Sequence, residues 1–147
     1  MKSAAQLLRS KPDQTVYSVT PSASVLDAVK LMAEKNVGAL LVVEDSKIVG
    51  MFTERDYARK IALMGRTSKE AAVRDIMTSP VLYVRPQHTN EECMALMTDN
   101  RVRHLPVMDS DRLLGVISIG DVLREVIHEQ KFMLSQLEHY ITGSGKQ

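Results

Sequence analysis

The chain contains an internal duplication. Residues 50–56 read Gly-Met-Phe-Thr-Glu-Arg-Asp, and 65 residues later residues 115–121 read Gly-Val-Ile-Ser-Ile-Gly-Asp. The same shift carries residues 16–57 onto residues 81–122 without a gap, and it pairs turn, helix and strand positions alike. A repeat of this kind predicts two copies of one structural unit. Each half of about 65 residues would be only marginally stable alone, so the halves are expected to share a core.

Composition excludes several classes of function. Nineteen basic and eighteen acidic residues leave a formal charge of +1, and the chain has four tyrosines, two phenylalanines and no tryptophan. Neither a basic stripe nor a base-stacking platform is visible, which argues against a nucleic-acid partner. The apolar runs are too short for a signal peptide or a membrane span. These features predict a cytoplasmic protein without a membrane partner.

Cysteine and histidine give no sign of a reactive or metal-binding site. The single cysteine, Cys93, cannot form an intramolecular disulfide, and it falls on the apolar face of a predicted helix. It is better explained there as a small core residue than as a nucleophile. His88, His128 and His139 lack the spacing of metal ligands. Because no nucleophile, base and orienting group can be assigned, we predict that the chain is not an enzyme and has no metal and no catalytic cofactor.

Hydrophobic patterning gives both copies the same order of elements. The first copy is expected to contain a strand at 15–19, a helix from about 25 that ends at Asn36 and Gly38, a hairpin of strands at 38–43 and 48–52, and a helix at 56–64. In the second copy a strand follows Pro80, the helix is capped by Thr89, the hairpin spans 102–118, and a long helix runs from Asp121 to about Ile141 before Gly143 stops it. Each half is therefore β-α-β-β-α, and the predicted fold class is α/β (α+β).

Breaks between these patterns suggest domain boundaries. A short helical pattern in residues 1–14 stops at Lys11-Pro12, outside the repeat. The predicted order is an amino-terminal lead-in at 1–14, a first repeat at 15–65, a linker with a short helix at 66–79, a second repeat at 80–130 and a helical extension with a tail at 131–147.

The last helix carries an apolar stripe that its own repeat cannot easily cover. The stripe consists of Leu123, Ile127, Leu134, Leu137 and Ile141. A homodimer would cover it, and so we expect one. The alternative is that the stripe packs against the amino-terminal helix of the same chain.

The two repeated loops could hold a nucleotide. Gly50-x-x-Thr53-x-x-Asp56 and Gly115-x-x-Ser118-x-x-Asp121 place a hydroxyl where a strand becomes a helix. Unpaired amides and the helix dipole favour a phosphate there, and the aspartate one turn on can accept hydrogen bonds from a ribose diol. The alternative is structural, because Thr-x-x-Asp and Ser-x-x-Asp are also capping boxes that satisfy themselves.

The duplicated arrangement resembles a tandem pair of cystathionine-β-synthase (CBS) domains, a Bateman module. The resemblance covers roughly residues 12–130 and rests on both loops, on Val73-Arg74-Asp75-Ile76-Met77-Thr78 and on Arg103-His104-Leu105-Pro106-Val107. It implies two units packed with pseudo-two-fold symmetry and a regulatory role. It also implies an adenosine-containing ligand in clefts between the repeats: AMP, ADP, ATP, NAD or S-adenosylmethionine, with AMP, ATP or NAD favoured.

The resemblance also implies which residues line each cleft. The first cleft would contain Thr53, Arg55, Asp56, Pro80, Val81, Leu82, Val102, Arg103 and His104. The second would contain Thr15, Val16, Val37, Gly38, Ala39, Ser118 and Asp121. Guanidinium groups bind phosphate well, so we expect the first cleft to bind phosphorylated ligand more tightly and the second to favour the adenosine end or stay empty.

A second function remains open at this point. The same fold could serve as a ligand-independent interaction or dimerisation module in which the loops are only helix caps. In either case the regulated protein is unidentified, because the sequence carries no recognisable effector domain.

Overall fold

The structure, a computed structural model, describes residues 2–141. In chain order its elements are α1 (Ala4–Arg9), β1 (Ser18–Val19), α2 (Val25–Lys35), β2 (Ala39–Glu44), β3 (Lys47–Thr53), α3 (Glu54–Tyr57), α4 (Val73–Ile76), α5 (Asn90–Asn100), β4 (His104–Asp109), β5 (Arg112–Ser118) and α6 (Ile119–Ile141). Helices and small sheets alternate in two like halves, which confirms the predicted fold class. The chain divides into two compact units: Thr15 to Leu82 form one, and the residues up to Gln14 join those from Tyr83 onward in the other.

The Thr15–Leu82 unit is built on a three-stranded sheet in the order β1-β2-β3. β1 runs parallel to β2, and β2 pairs antiparallel with β3. The hydroxyl of Ser24 caps α2 by accepting from the amide of Asp27, and α2 ends at Asn36 in the left-handed conformation. Buried apolar side chains from α2, the hairpin, the helical turn at Ala58–Ala62 and α4 form the core: Val25, Ala28, Met32, Leu40, Val42, Phe52, Ile61, Val73 and Ile76.

The unit that contains residues from Tyr83 onward repeats this pattern with one strand reduced. β4 and β5 form an antiparallel pair, and Val84 makes a single parallel bridge to Val107 where the first unit has β1. The predicted strand after Pro80 is therefore only a bridge. Pro80 and Pro86 flank the segment, and a proline has no amide to donate to a ladder. The matching strand in the first unit is also shorter than predicted.

The duplication extends to backbone detail. Leu40 faces Phe52 and, 65 residues on, Leu105 faces Ile117. Both hairpins carry a β-bulge at the equivalent place, between Val42 and Val43 and between Val107 and Met108. The two middle helices end on residues with the same positive φ of 54° at Asn36 and Arg101.

The short helices α1 and α4 occupy equivalent places in the two units. Ala72, just before α4, bridges to Ser24, and Ser3, just before α1, bridges to Thr89, the counterpart of Ser24. The amino-terminal segment therefore pairs with the N-cap of α5 in the second copy as the segment before α4 pairs with the N-cap of α2 in the first. Sequence alone treated the first fourteen residues as a lead-in because this relation does not follow the 65-residue shift.

Two helices differ from the predictions. The helix predicted at 56–64 is α3 followed by a π-helical turn at Ala58–Ala62. In α2 the helical spacing of apolar residues predicts that Ala33 lies on the buried face with Val25, Ala28 and Met32, but Ala33 is exposed.

α6 begins at Ile119, close to the predicted start, and the predicted stop at Gly143 lies outside the described residues. Its stripe residues Leu123, Ile127, Leu134, Leu137 and Ile141 are between 47% and 77% exposed. The alternative in which the amino-terminal helix covers this stripe is therefore wrong. Leu7 and Leu8 of α1 are buried within their unit, and the Leu8 methyls lie against Gly115 of β5. Over the described residues, no helix has the length and apolar character to cross a membrane.

Candidate functional site

Asp56 lies at the start of α3, where the chain leaves β3. Thr53 is the N-cap: its hydroxyl accepts from the Asp56 amide at 3.2 Å, and Asp56 Oδ2 accepts from the Thr53 amide at 3.0 Å. Asp56 Oδ1 accepts from the Thr78 hydroxyl at 3.0 Å and forms an ion pair with Lys60 Nζ at 3.3 Å. The carboxylate is buried and has partners on both oxygens. The predicted capping box is present.

Asp121 repeats this geometry at the start of α6. Ser118 Oγ accepts from the Asp121 amide at 3.3 Å, and Asp121 Oδ2 accepts from the Ser118 amide at 2.8 Å. Lys11 Nζ lies 3.0 Å from Asp121 Oδ2, and Arg124 donates to Asp121 Oδ1. Lys11 also donates to the Val116 carbonyl at 2.8 Å, so the ammonium is fixed at the end of β5.

The cations beside the two aspartates were not found from the sequence. Lys60 follows Asp56 by one helical turn, and Arg124 follows Asp121 by three residues, so helical spacing alone could have indicated both. Lys11 belongs to a segment that the sequence left outside the repeat. The heads of Lys60 and Arg124 are solvent-accessible, with side chains 44% and 67% exposed, so a ligand could replace them at modest cost.

Some of the residues predicted to line the clefts lie at the starts of β2 and β4. In the structure these strand starts are next to the aspartate loop of their own unit. The Gly38 carbonyl accepts from the Glu54 amide at 3.1 Å, and Ala39 faces Thr53. In the other unit the Arg103 carbonyl accepts from the Ile119 amide at 2.8 Å, and His104 faces Ser118. The sequence assigned Arg103 and His104 to the cleft of the Asp56 loop, and that assignment stays a prediction.

His104 is held in its neutral form. Burial lowers the pKa of His104 below its ordinary value, and the nearby charge of Lys11 lowers it further. Asp121 opposes this shift, while Arg103 adds to it. The ring can therefore serve as both donor and acceptor near neutral pH.

The remaining predicted residues have mixed exposure. Arg55, Pro80 and Thr15 are exposed. Val16, Val37, Val81, Leu82 and Val102 are half-buried. The predicted set is thus divided between the two units: Thr15, Val16, Val37, Gly38, Ala39, Thr53, Arg55, Asp56, Pro80, Val81 and Leu82 belong to one, and Val102, Arg103, His104, Ser118 and Asp121 to the other.

Cys93 is a core residue. It is fully buried on α5, and burial raises the pKa of its thiol to about 11, with the charge of Glu92 adding to the shift. A thiol of this kind is not a nucleophile at neutral pH. Within residues 2–141, no group of three or more histidine, cysteine, aspartate or glutamate residues could hold a metal ion.

Comparison with known proteins identifies the family. The family model of the CBS domain matches residues 7–63 and 73–128, one match for each copy. The chain belongs to the CBS-domain family. The resemblance seen in the sequence is thereby confirmed, and the chain is a CBS-domain regulatory module.

Two relatives show how far the likeness extends. The chain is 47% identical over 129 residues to the mitochondrial CBS domain-containing protein CBSX3 of Arabidopsis thaliana, a match that covers 84% of this chain and 63% of CBSX3. It is 33% identical over 107 residues to the CBS domain-containing protein YhcV of Bacillus subtilis, covering 73% of this chain and 76% of YhcV. The chain thus spans less than two thirds of the length of CBSX3.

Solved structures of CBS-domain proteins share the fold. A protein with CBS domains from Burkholderia ambifaria is 54% identical, with a TM-score of 0.84 over 88% of this chain and 96% of that one. CBSX2 in complex with AMP is 29% identical, with a TM-score of 0.70 over 87% of this chain and 98% of that one. A hexameric CBS-CP12 protein from bloom-forming cyanobacteria is 34% identical, with a TM-score of 0.75 over 84% of this chain and 70% of that one.

Proposed function

We propose that this CBS module is a sensor that binds an adenosine-containing nucleotide, AMP, ADP, ATP or NAD, in clefts between its two repeats. The supporting observation is the pair of hydroxyl-x-x-aspartate loops, built twice with the same capping geometry at Asp56 and Asp121. A related structure is a complex with AMP, which makes this ligand the first to test.

Each aspartate would accept hydrogen bonds from the two ribose hydroxyls. A carboxylate offers paired acceptors, and a diol presents two donors at matching separation. The ligand would take the acceptor positions that Lys60 holds on Asp56 and Arg124 holds on Asp121. The displaced cations would then be available to bind the ligand's phosphate, and a charge-assisted hydrogen bond to phosphate is stronger than a neutral one.

The residues proposed for the clefts are those that the family resemblance implies. Around Asp56 they are Thr53, Arg55, Pro80, Val81, Leu82, Val102, Arg103 and His104. Around Asp121 they are Thr15, Val16, Val37, Gly38, Ala39 and Ser118. If Arg103 binds phosphate, Arg103→Ala will weaken the binding of AMP more than the binding of adenosine. If Arg103 has only a structural role, the variant will bind both ligands less tightly by the same factor.

A second candidate is a ligand-independent interaction module. Two observations favour it: both aspartates already have partners within their own chain, and the α6 stripe from Leu123 to Ile141 is exposed. The stripe would then be the surface of a homodimer, and a regulated protein would dock elsewhere on the module. Exposed apolar surface of this extent is typical of an interaction site.

Thermal denaturation in the presence of AMP, ATP, NAD and S-adenosylmethionine separates the two candidates. A ligand at about 100 times its Kd stabilises the native state by about 2.7 kcal/mol. For a chain of this size that raises Tm by roughly 5–10 °C. GMP is the matched control, because it carries the same ribose phosphate on a different purine.

The outcome assigns the function. A rise with an adenosine ligand that is reduced in Asp56→Ala or Asp121→Ala supports the sensor. No rise with any of the four ligands, together with loss of only about 1 kcal/mol in Asp56→Ala, the cost of a helix cap, would leave the interaction module.

A further inference from the structure

A cavity lies within the unit that contains α6, between α1 and the first turns of α6. Its volume is about 440 Å³, in the range of small-molecule sites. Leu7 and Ile127 form apolar walls. The other lining residues are polar or charged: Lys2, Ser10, Lys11, Asp121, Arg124, Glu125, His128 and Lys131. All of them belong to one unit, so the cavity is complete without the Thr15–Leu82 unit.

The two acids in this lining are buried, while the cations reach the solvent. Asp121 and Glu125 are 6% and 5% exposed. Lys11 and Arg124 are bound to Asp121, and Lys2 Nζ lies 3.2 Å from Glu125 Oε1. The buried carboxylates therefore bring three cations to the rim of the cavity, of which Lys11 is the least exposed.

Positive charge remains after these pairs are counted. Lys2, Lys11, Arg124 and Lys131 supply four cations against the two carboxylates, which leaves an excess of two. Lys131 has no ion-pair partner among residues 2–141. His128 adds a ring nitrogen that can donate, and both residues lie on the solvent side of α6. An excess of two charges in a concave site favours a dianion.

We propose that the α1/α6 cavity is a binding site for a small phosphorylated anion. Lys131 and His128 would bind it from α6, and Lys2 and Lys11 from the amino-terminal segment. Lysine and arginine donors match the acceptor oxygens of a phosphate group. Because the ligand would join residues 2–11 to α6, its binding would also tie the amino-terminal segment to the second repeat. The cavity shares Lys11, Asp121 and Arg124 with the surroundings of the second repeated loop, whereas Lys2, His128 and Lys131 belong to the cavity alone.

Inorganic pyrophosphate titrated into the ¹⁵N-labelled full chain tests the site. We expect amide shifts concentrated in residues 2–11 and 119–131, with saturation at a single Kd. Lys131 forms no ion pair within residues 2–141, so Lys131→Gln should leave the fold intact. This variant should raise the Kd for pyrophosphate by about threefold to tenfold, as expected for the loss of one charge-assisted contact. Lys69→Gln, which removes an equal charge from an exposed position in the other unit, should change the Kd by less than about twofold.

Three results would overturn the proposal. These are no saturable shifts with millimolar pyrophosphate, shifts spread over both units, and equal weakening by Lys131→Gln and Lys69→Gln. A second arm identifies the source of the phosphate group. If ATP reproduces the pyrophosphate shifts on α6 and adenosine does not, the natural ligand is a nucleotide tail. If only pyrophosphate produces them, it is a free anion. Either result supports the site.

Discussion

Replacement of each repeated glycine by alanine tests how closely the short helices approach the sheets. At Gly50 a Cβ would lie 2.5 Å from Met77 Sδ, 2.9 Å from Met77 Cγ and 3.2 Å from the Thr78 carbonyl oxygen. That carbonyl accepts from the Met51 amide at 3.0 Å, and the Thr78 amide donates back at 2.8 Å. The Thr78 backbone cannot retreat without losing this pair of bonds. At Gly115 the contact is with side-chain atoms of Leu8, the nearest being a methyl at 2.8 Å.

The two substitutions should therefore differ in cost. Overpacking against a fixed backbone costs about 1–3 kcal/mol, so Gly50→Ala should lower the free energy of unfolding. In Gly115→Ala the Leu8 side chain can rotate away, and alanine gains roughly 0.5–1 kcal/mol over glycine in a strand, so the net effect should be near zero. The expected difference is about 1–3 kcal/mol, or roughly 2–12 °C in Tm.

Urea unfolding followed by circular dichroism measures this difference, with the wild-type chain and both variants at one concentration. Equal slopes against urea would show that the variants unfold the same surface. A Gly115→Ala variant as unstable as Gly50→Ala, or a neutral Gly50→Ala, would refute the claim that the backbone at Thr78 sets the approach. Gly50→Ala should also weaken nucleotide binding, because Thr78 donates to Asp56.

Three further predictions follow from single residues. Because the pKa of His104 is lowered in the folded state, its contribution to stability is present above its unfolded pKa near 6.5 and is lost as the pH falls towards the folded pKa. His104→Gln should therefore flatten the fall of Tm between neutral and mildly acidic pH, and an unchanged pH dependence of Tm in this variant would contradict the shift. Cys93 should resist Ellman's reagent in the native state and react fully in denaturant, and rapid native reaction would contradict its burial. Leu134→Glu with Leu137→Glu should shift the mass in sedimentation equilibrium towards a monomer, and an unchanged mass would exclude the α6 stripe as the dimer surface.

Local spacing was enough to predict the helix caps and hairpins. Thr53 and Asp56 lie three residues apart, as do Ser118 and Asp121, and a capping box depends only on that spacing. The hairpins follow from apolar runs on either side of a polar turn. The 65-residue shift extended the first copy's pattern to the second, so the fold and the family could both be predicted.

Contacts between distant segments could not be predicted in this way. Lys11 precedes Asp121 by 110 residues, and nothing in the pattern around Lys11 indicates that it crosses to α6. Thr78 is 22 residues from Asp56 and lies in a segment that was interpreted as a linker. The basic α1/α6 cavity depends on both the placement of α1 and the face of α6, and it was therefore missed. The shortening of β1 also reflects tertiary context, because periodicity does not show how far a strand stays paired.

Isothermal titration calorimetry with AMP, using the wild-type chain, Asp56→Asn and Asp121→Asn, tests whether the two loop aspartates bind the ribose of a nucleotide. Asparagine keeps the size of the side chain but removes the negative charge and one acceptor oxygen, and a hydrogen bond to a charged group contributes about 1.5–3 kcal/mol. We expect saturable binding to the wild-type chain and roughly tenfold to hundredfold weaker binding at the altered site in a variant that stays folded. Absence of AMP binding, or equal affinity in all three proteins, would contradict this expectation.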